Sequence, residues 1–171
     1  GREEARLIYL GVANGLAAGD DRRLVVDIGG GSTEIIVGEG VTPRLRESLH
    51  MGCVSMTRSQ FPDGKITDKR MDHAELSGAL EVRPVRELFR GSGWKTAVGA
   101  SGTIKAIAAV VEAQGWSTDG ISVQSLVKLR NALIEFGKTS AIDLTGLSDE
   151  RKPVFAGGVA VLRSVFSALD V

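Results

Sequence analysis

Cysteine and histidine are nearly absent: one Cys and two His in 171 residues. A lone Cys53 excludes an intrachain disulfide and fits a reducing cytosol, so a cytoplasmic location is expected. With no second cysteine and no histidine at metal-ligand spacing, Cys53 reads as a small buried hydrophobe. Charge of either sign is not in excess, at 21 basic against 21 acidic residues. No global field therefore draws the chain to nucleic acid or to an anionic membrane, and a polyanionic substrate needs a local basic patch. Aromatics are 5% of the chain, and no basic face is interleaved with them, which ranks nucleic-acid binding low. A Ser/His/Asp relay and paired cysteines are also missing, so serine hydrolase and zinc protein rank low. No signal peptide is read, and no apolar run long enough to span a bilayer. What remains is a single α/β domain, 43% hydrophobic with 22 glycines, large enough to bury roughly 70% of its unfolded surface.

The chain is organised around Leu24 to Val37. Leu24–Ile28 is a short β-branched run without helical spacing, as a buried strand requires. Gly29-Gly30-Gly31 disfavours a helix, permits φ > 0 and lets the chain fold back. Ile35, Ile36 and Val37 resume the strand character, and Gly38 is expected to end it. A hairpin needs one or two glycines; a third, followed by Ser32 and Thr33, suggests a ligand approaching bare backbone. Such a turn can cradle an anion. Asp27 and Glu34 at its two ends would repel a bare phosphate, unless a hard cation such as Mg²⁺ lies between. An ordinary hairpin with a flexible tip is the plain alternative.

Gly1 to Val12 reads as a helix with Glu3 and Glu4 in its first turn, where carboxylates suit the macrodipole. Gly38-Glu39-Gly40 and Pro43 mark a turn, and Arg44–Met51 a third strand. Thr67 offers an N-cap. A helix should run from there to about Phe89, kinked at Pro84, with Leu76, Leu80 and Leu88 inward. Trp94–Val98 is a fourth strand feeding Gly99-Ala100-Ser101-Gly102-Thr103. The following Ile104–Val111 is apolar almost all round and should be buried between layers. A glycine loop opening a buried helix is an anion site, with Ser101 equally readable as its N-cap. Ser122–Phe136 has helical spacing, and Val154–Leu169 is an apolar helix whose Gly157-Gly158 lets another backbone pack closely.

Asp27-Ile28-Gly29-Gly30-Gly31-Ser32-Thr33-Glu34 resembles the second phosphate loop of the superfamily joining actin, heat-shock chaperone ATPases and sugar kinases. Its Ser-Thr-Glu ending is similar to that of the exopolyphosphatase and guanosine pentaphosphate phosphohydrolase (Ppx/GppA) branch. Glu3-Glu4-Ala5-Arg6, Met51-Gly52-Cys53-Val54 and Gly99-Ala100-Ser101-Gly102-Thr103-Ile104-Lys105 fit that branch in the same order.

The resemblance implies a ribonuclease H-like lobe, a mixed sheet with helices on both faces. It makes residues 1–171 one domain, the second lobe of a two-lobe core whose first lobe and last strand lie elsewhere, so the piece alone should be inactive. The implied reaction is hydrolysis of a terminal phosphoanhydride, in polyphosphate or guanosine pentaphosphate. Glu4 is implied as the general base. Asp27 and Glu34 would hold Mg²⁺, and Gly29, Gly30, Gly31, Ser32, Ser101, Gly102 and Thr103 would hold phosphate oxygens. A homodimer is among the implied partners; nucleic acid and membrane are not. A kinase or chaperone-type ATPase lobe, or a silent phosphate- or alarmone-binding module, are the alternatives.

Overall fold

Alternation along the first strand decides how the molecule is layered. The computed structural model describes residues 2–15 and 21–171. In β1 (Arg22–Ile28), Leu24, Val26 and Ile28 enter a large apolar core on one face, while Val25 turns to the other. There it meets Ile36 and the buried Ala5 and Tyr9 of α1 (Arg2–Gly15). β1 pairs antiparallel with β2 (Thr33–Glu39), β2 antiparallel with β3 (Thr42–Leu49), and β4 (Thr96–Gly99) lies parallel to β1. The order is β3-β2-β1-β4. This is the mixed sheet expected from the sequence, with three leading strands joined by hairpins.

Two local expectations change. Gly38 continues β2 instead of ending it, paired with Arg23 of β1, and its missing side chain makes room for Tyr9: a Cβ there would fall 2.2 Å from the ring. The hairpin turns at Gly40, whose φ is +56°. Pro43 therefore lies in β3, opposite Gly38 at a register shift. An edge strand and a bulge are where a residue without an N–H is tolerated.

The large core is closed by α2 (Cys53–Gln60), α3 (Asp68–Val82), α5 (Gly102–Ala113), α6 (Val123–Phe136) and α7 (Lys152–Leu169). Cys53 is buried in it as expected. Thr67 caps α3, accepting from Arg70 N–H. Leu76, Leu80 and Leu88 are not inward: they are 60%, 55% and 56% exposed. The buried stripe is instead Met71, Ala74, Gly78 and Val82. Both stripes have helical spacing, and close approach to α7 selects the one with small residues. A Cβ on Gly78 would sit 2.3 Å from Ser164 Oγ. Nor does α3 kink and continue. It stops at Val82, and Pro84 lies in the turn before the short α4 (Arg86–Arg90), which buries Phe89.

Likewise α5 buries one face only, through Thr103, Ile104, Ile107, Val110 and Val111, with Lys105, Ala109 and Glu112 exposed. It packs beside β4, an edge strand with no further layer among the described residues. The sequence reading saw no run able to span a bilayer, yet α7 has the length and apolarity for it, 18 residues at mean hydropathy 1.3. Its apolarity serves the core here, and Phe155 through Leu162 are buried without a break.

Gly157 and Gly158 do the packing expected of them. A Cβ on Gly157 would lie 2.3 Å from Thr57 Oγ1, 2.6 Å from Cys53 O and 2.8 Å from Thr57 N. On Gly158 it would lie 2.5 Å from Thr103 Cγ2. Gly157→Ala thus opposes two effects. Helix propensity favours alanine by about 0.8–1.0 kcal/mol, but two of the three close atoms are backbone and cannot swing away. Overpacking should win, for a net loss of about 1–3 kcal/mol in urea unfolding. A stabilised variant would show that α2 and α7 do not meet this closely.

Candidate active site

The turn between β1 and β2 is shaped by close approach, not by left-handed backbone, since Gly29, Gly30 and Gly31 all keep φ out of the positive region. The Gly29 N–H closes the turn on Ser32 O at 2.9 Å. The Gly29 carbonyl accepts from Cys53 N–H at 2.9 Å, and the Gly30 carbonyl from Val54 and Ser55 N–H at 2.9 and 3.0 Å. These donors are the otherwise orphaned first amides of α2. Gly52 permits the seating: a Cβ there would fall 2.5 Å from Gly30 O and 2.7 Å from Gly29 O. Ser55 Oγ accepts from the Gly52 N–H at 2.9 Å and fixes the same corner. In a trans peptide the N–H points opposite to the preceding carbonyl. With both carbonyls turned to α2, the Gly30 and Gly31 amides are turned away from it, and no acceptor holds them among the described residues.

Asp27 and Glu34 are directly paired across the hairpin, so their side chains lie on one face, the one that α1 covers. Glu34 is only 2% exposed. Its Oε1 accepts from Ser32 Oγ at 2.9 Å and from Ser48 Oγ of β3 at 2.7 Å. Thr33 is buried, donating to Met51 O at 2.7 Å. Asp27 is half-buried. Ser32, expected to hold phosphate, thus spends its hydroxyl on Glu34.

Because β1 and β4 run parallel, their carboxyl ends open on the same edge of the sheet. The loop after β4 therefore meets the glycine turn. Ser101 caps α5, its Oγ accepting from Ile104 N–H at 3.2 Å. That fulfils the N-cap reading, and Ser101 lines the cleft as well. Asp27, Gly29, Gly30, Ser101, Gly102 and Thr103 all border one cleft of about 700 Å³. Gly31 and Ser32 lie on the turn beyond its lining. Glu4 lies on α1, and its side chain is outside the described ones.

The cleft also holds a cation that sequence reasoning missed. Arg151 precedes α7 and borders the cleft beside Glu150 and Val154. Its guanidinium lies over Gly102, where a Cβ would be 2.3 Å from Nη2. Among the described residues no ion pair involves Arg151. In the sequence, Ser148-Asp149-Glu150-Arg151 resembles a helix start, and the one signal is a cation among acids at the mouth of an apolar helix. The starts of α2, α5 and α7 thus converge on one cleft, where their dipoles favour an anion, and the Gly102 and Thr103 amides opening α5 have no acceptor among the described residues.

A β3-β2-β1-β4 sheet with antiparallel leading strands and two glycine loops on one edge is a lobe of the actin-like ATPase fold. Within that class the chain belongs to the Ppx/GppA phosphatase family, whose model matches residues 1–171. Solved structures agree. The PPX-GPPA enzyme of Aquifex aeolicus superposes with a TM-score of 0.79 at 24% identity, over 99% of this chain and 57% of that one. An exopolyphosphatase-like protein gives 0.84 at 22% identity, over 99% and 57%. An exopolyphosphatase from Cytophaga hutchinsonii gives 0.76 at 18%, over 97% and 56%. This chain therefore spans a little over half the length of the structures it matches, and at these identities the likeness shows the fold.

Seating of the glycine turn on α2 is testable. Gly52→Ala should push the Gly29 and Gly30 carbonyls off the helix start, shifting the Gly30, Gly31 and Val54 amide resonances and costing about 1–3 kcal/mol. Unmoved resonances at those three positions would mean the turn does not rest on α2.

Proposed function

We propose that this lobe binds phosphate and metal for a phosphohydrolase that cleaves the terminal phosphoanhydride of inorganic polyphosphate or guanosine pentaphosphate. The observation that carries the reading is one cleft bordered by Gly29 and Gly30 of the glycine turn and by Ser101, Gly102 and Thr103 at the start of α5, with Asp27 among its lining. Phosphoryl transfer needs positioning and charge neutralisation more than covalent chemistry by the protein. Gly30, Gly31, Gly102 and Thr103 offer backbone N–H groups to phosphate oxygens. Arg151, over Gly102, adds the local cation that a neutral chain must supply to a polyanion.

The donor set fits Mg²⁺. Two carboxylates share one face, Asp27 half-buried and Glu34 held by two hydroxyls, and no third carboxylate, His or Cys joins them among the described residues. Mg²⁺ is commonly held by one or two carboxylates, the rest of its octahedron being water and substrate phosphate. Asp27 would hold it, directly or through water, and Glu34 would lie close by. When bound it neutralises charge on the transferring phosphate. Glu4 would take the proton from water as its oxygen bonds to the terminal phosphorus. The bond from phosphorus to the bridging oxygen breaks, and the shortened phosphate chain leaves with that electron pair. The first lobe of the same protein would close the cleft, in the cytoplasm.

Titration of this chain with inorganic phosphate should shift the Gly30, Gly31, Gly102 and Thr103 amides; shifts confined to other surfaces would sink the cradle. In an enzyme carrying both lobes, Glu4→Gln should lower kcat by ~10²–10⁴-fold with little change in KM. Glu3→Gln should be mild, since that carboxylate lies exposed against Arg6 at 2.7 Å. Asp27→Ala should abolish Mg²⁺-dependent turnover. A normal kcat in the Glu4 variant would return the base to another group.

A further inference from the structure

Glu34 is a buried carboxylate without a cation: it is 2% exposed, and among the described residues no ion pair involves it. A charge taken this far from water is ordinarily paired or bound to a metal, because desolvation is costly. Its donors among the described residues are Ser32 Oγ at 2.9 Å and Ser48 Oγ at 2.7 Å, and both meet the same oxygen, Oε1. Oε2 has no donor there, yet no described side-chain oxygen is sealed from solvent without a partner. What little of Glu34 stays open therefore includes Oε2.

Ser48 reaches Glu34 through an irregularity in the sheet. β2 and β3 begin their pairing at the turn with Glu39 opposite Thr42 and Gly38 opposite Pro43. Continued without interruption, that register would set Glu47 opposite Glu34, two carboxylates face to face. The shift between Val37 and Gly38 instead leaves Arg44 out of the ladder and brings Ser48 opposite Glu34, on the same face. A bulge beside a site commonly re-aims one side chain in this way.

We propose that Ser48 is a positioning residue for the phosphoanhydride hydrolysis: by holding Oε1 of Glu34 it leaves Oε2 as the oxygen offered to the divalent cation. The inference rests on the reading of Asp27 and Glu34 as the metal site. A hydroxyl suits the task better than a guanidinium or ammonium, which would hold the carboxylate more firmly but cancel the charge the cation needs. Two donors on one oxygen also make the two oxygens inequivalent. They stop rotation about the last torsion of the side chain, which is otherwise broad and two-fold. Ser32 shares the bond but belongs to the glycine turn, where substrate phosphate is expected. Ser48 lies on another strand, does not line the cleft, and acts on the reaction through Glu34 alone.

Equilibrium binding of Mn²⁺ to the enzyme carrying both lobes, without substrate, reads the effect, with free Mn²⁺ followed by electron paramagnetic resonance. The site in question is the one that Asp27→Ala removes. Ser48→Ala should weaken it by about 10–100-fold, the usual cost of removing a group that orients a metal ligand. Ser48→Thr keeps the hydroxyl and should bind close to wild type. In a Glu34→Gln background, where Asp27 still holds the ion, Ser48→Ala should change nothing further, since the two act as one unit. In turnover, Ser48→Ala should raise the Mg²⁺ concentration that gives half the maximal rate and leave KM at saturating Mg²⁺ unaltered. A serine that only fastens β3 to β2 would lower the urea midpoint and leave Mn²⁺ affinity where it was. That result overturns the proposal while the metal site stands, and so does an added effect of Ser48→Ala in the Glu34→Gln background. A wild-type enzyme without an Asp27-dependent Mn²⁺ site sinks the metal reading itself, and the proposal with it.

Discussion

The site depends on three hydrogen bonds from the first amides of α2 to the carbonyls of Gly29 and Gly30. A helix start is ordinarily where an anion binds, yet here its donors are consumed by the protein itself. What the molecule gains is orientation: peptides pinned by their carbonyls present their N–H groups outward in a fixed direction. Preorganised donors of this kind stabilise charge without rearranging during reaction. The requirement spreads outward. Gly52 must lack a side chain so that the turn can sit down, and Gly157 so that α7 can brace α2. Ser55 must cap the corner. Glycines from three separate parts of the chain are thus one device.

Much of the fold was legible because its signals are local. β-Branched runs marked the strands, Thr67 and Ser101 marked helix starts, and the glycine turn announced a hairpin. Both glycine loops that border the cleft could be picked out from sequence, and so could Asp27 beside them. What local signals cannot carry is the choice between equivalent patterns. On α3, Leu76 and Leu80 form as good a helical stripe as Ala74 and Gly78, and hydrophobicity favours the leucines. The distance to α7 decided otherwise, and that distance is a tertiary quantity. Pro84 announced a disruption but not whether the helix would bend or stop.

The site shows the same limit. Glu34 reads as an acid beside a metal, and nothing in the chain says that Ser48, on another strand, would hold it alongside Ser32. Arg151 lies nearly fifty residues from the loop it overhangs and resembles any charged residue at a helix start. The parallel pairing of β1 with β4 brings these positions together, because it turns two strand ends toward the same edge. Without that pairing each loop would be an isolated turn.

The sheet divides the apolar interior unequally. One side holds the core built by α2, α3, α5, α6 and α7; the other holds Ala5, Tyr9, Val25 and Ile36. Resistance to global unfolding belongs to the first. Attachment of α1 belongs to the second, through a tyrosine ring set into the gap above Gly38. Partial openings of a protein follow such boundaries, each with its own free energy. A denaturant midpoint would therefore report on the large side and say little about α1. Hydrogen exchange along α1 would measure the smaller quantity, and a lesion at Tyr9 could free that helix while the remainder still appears native.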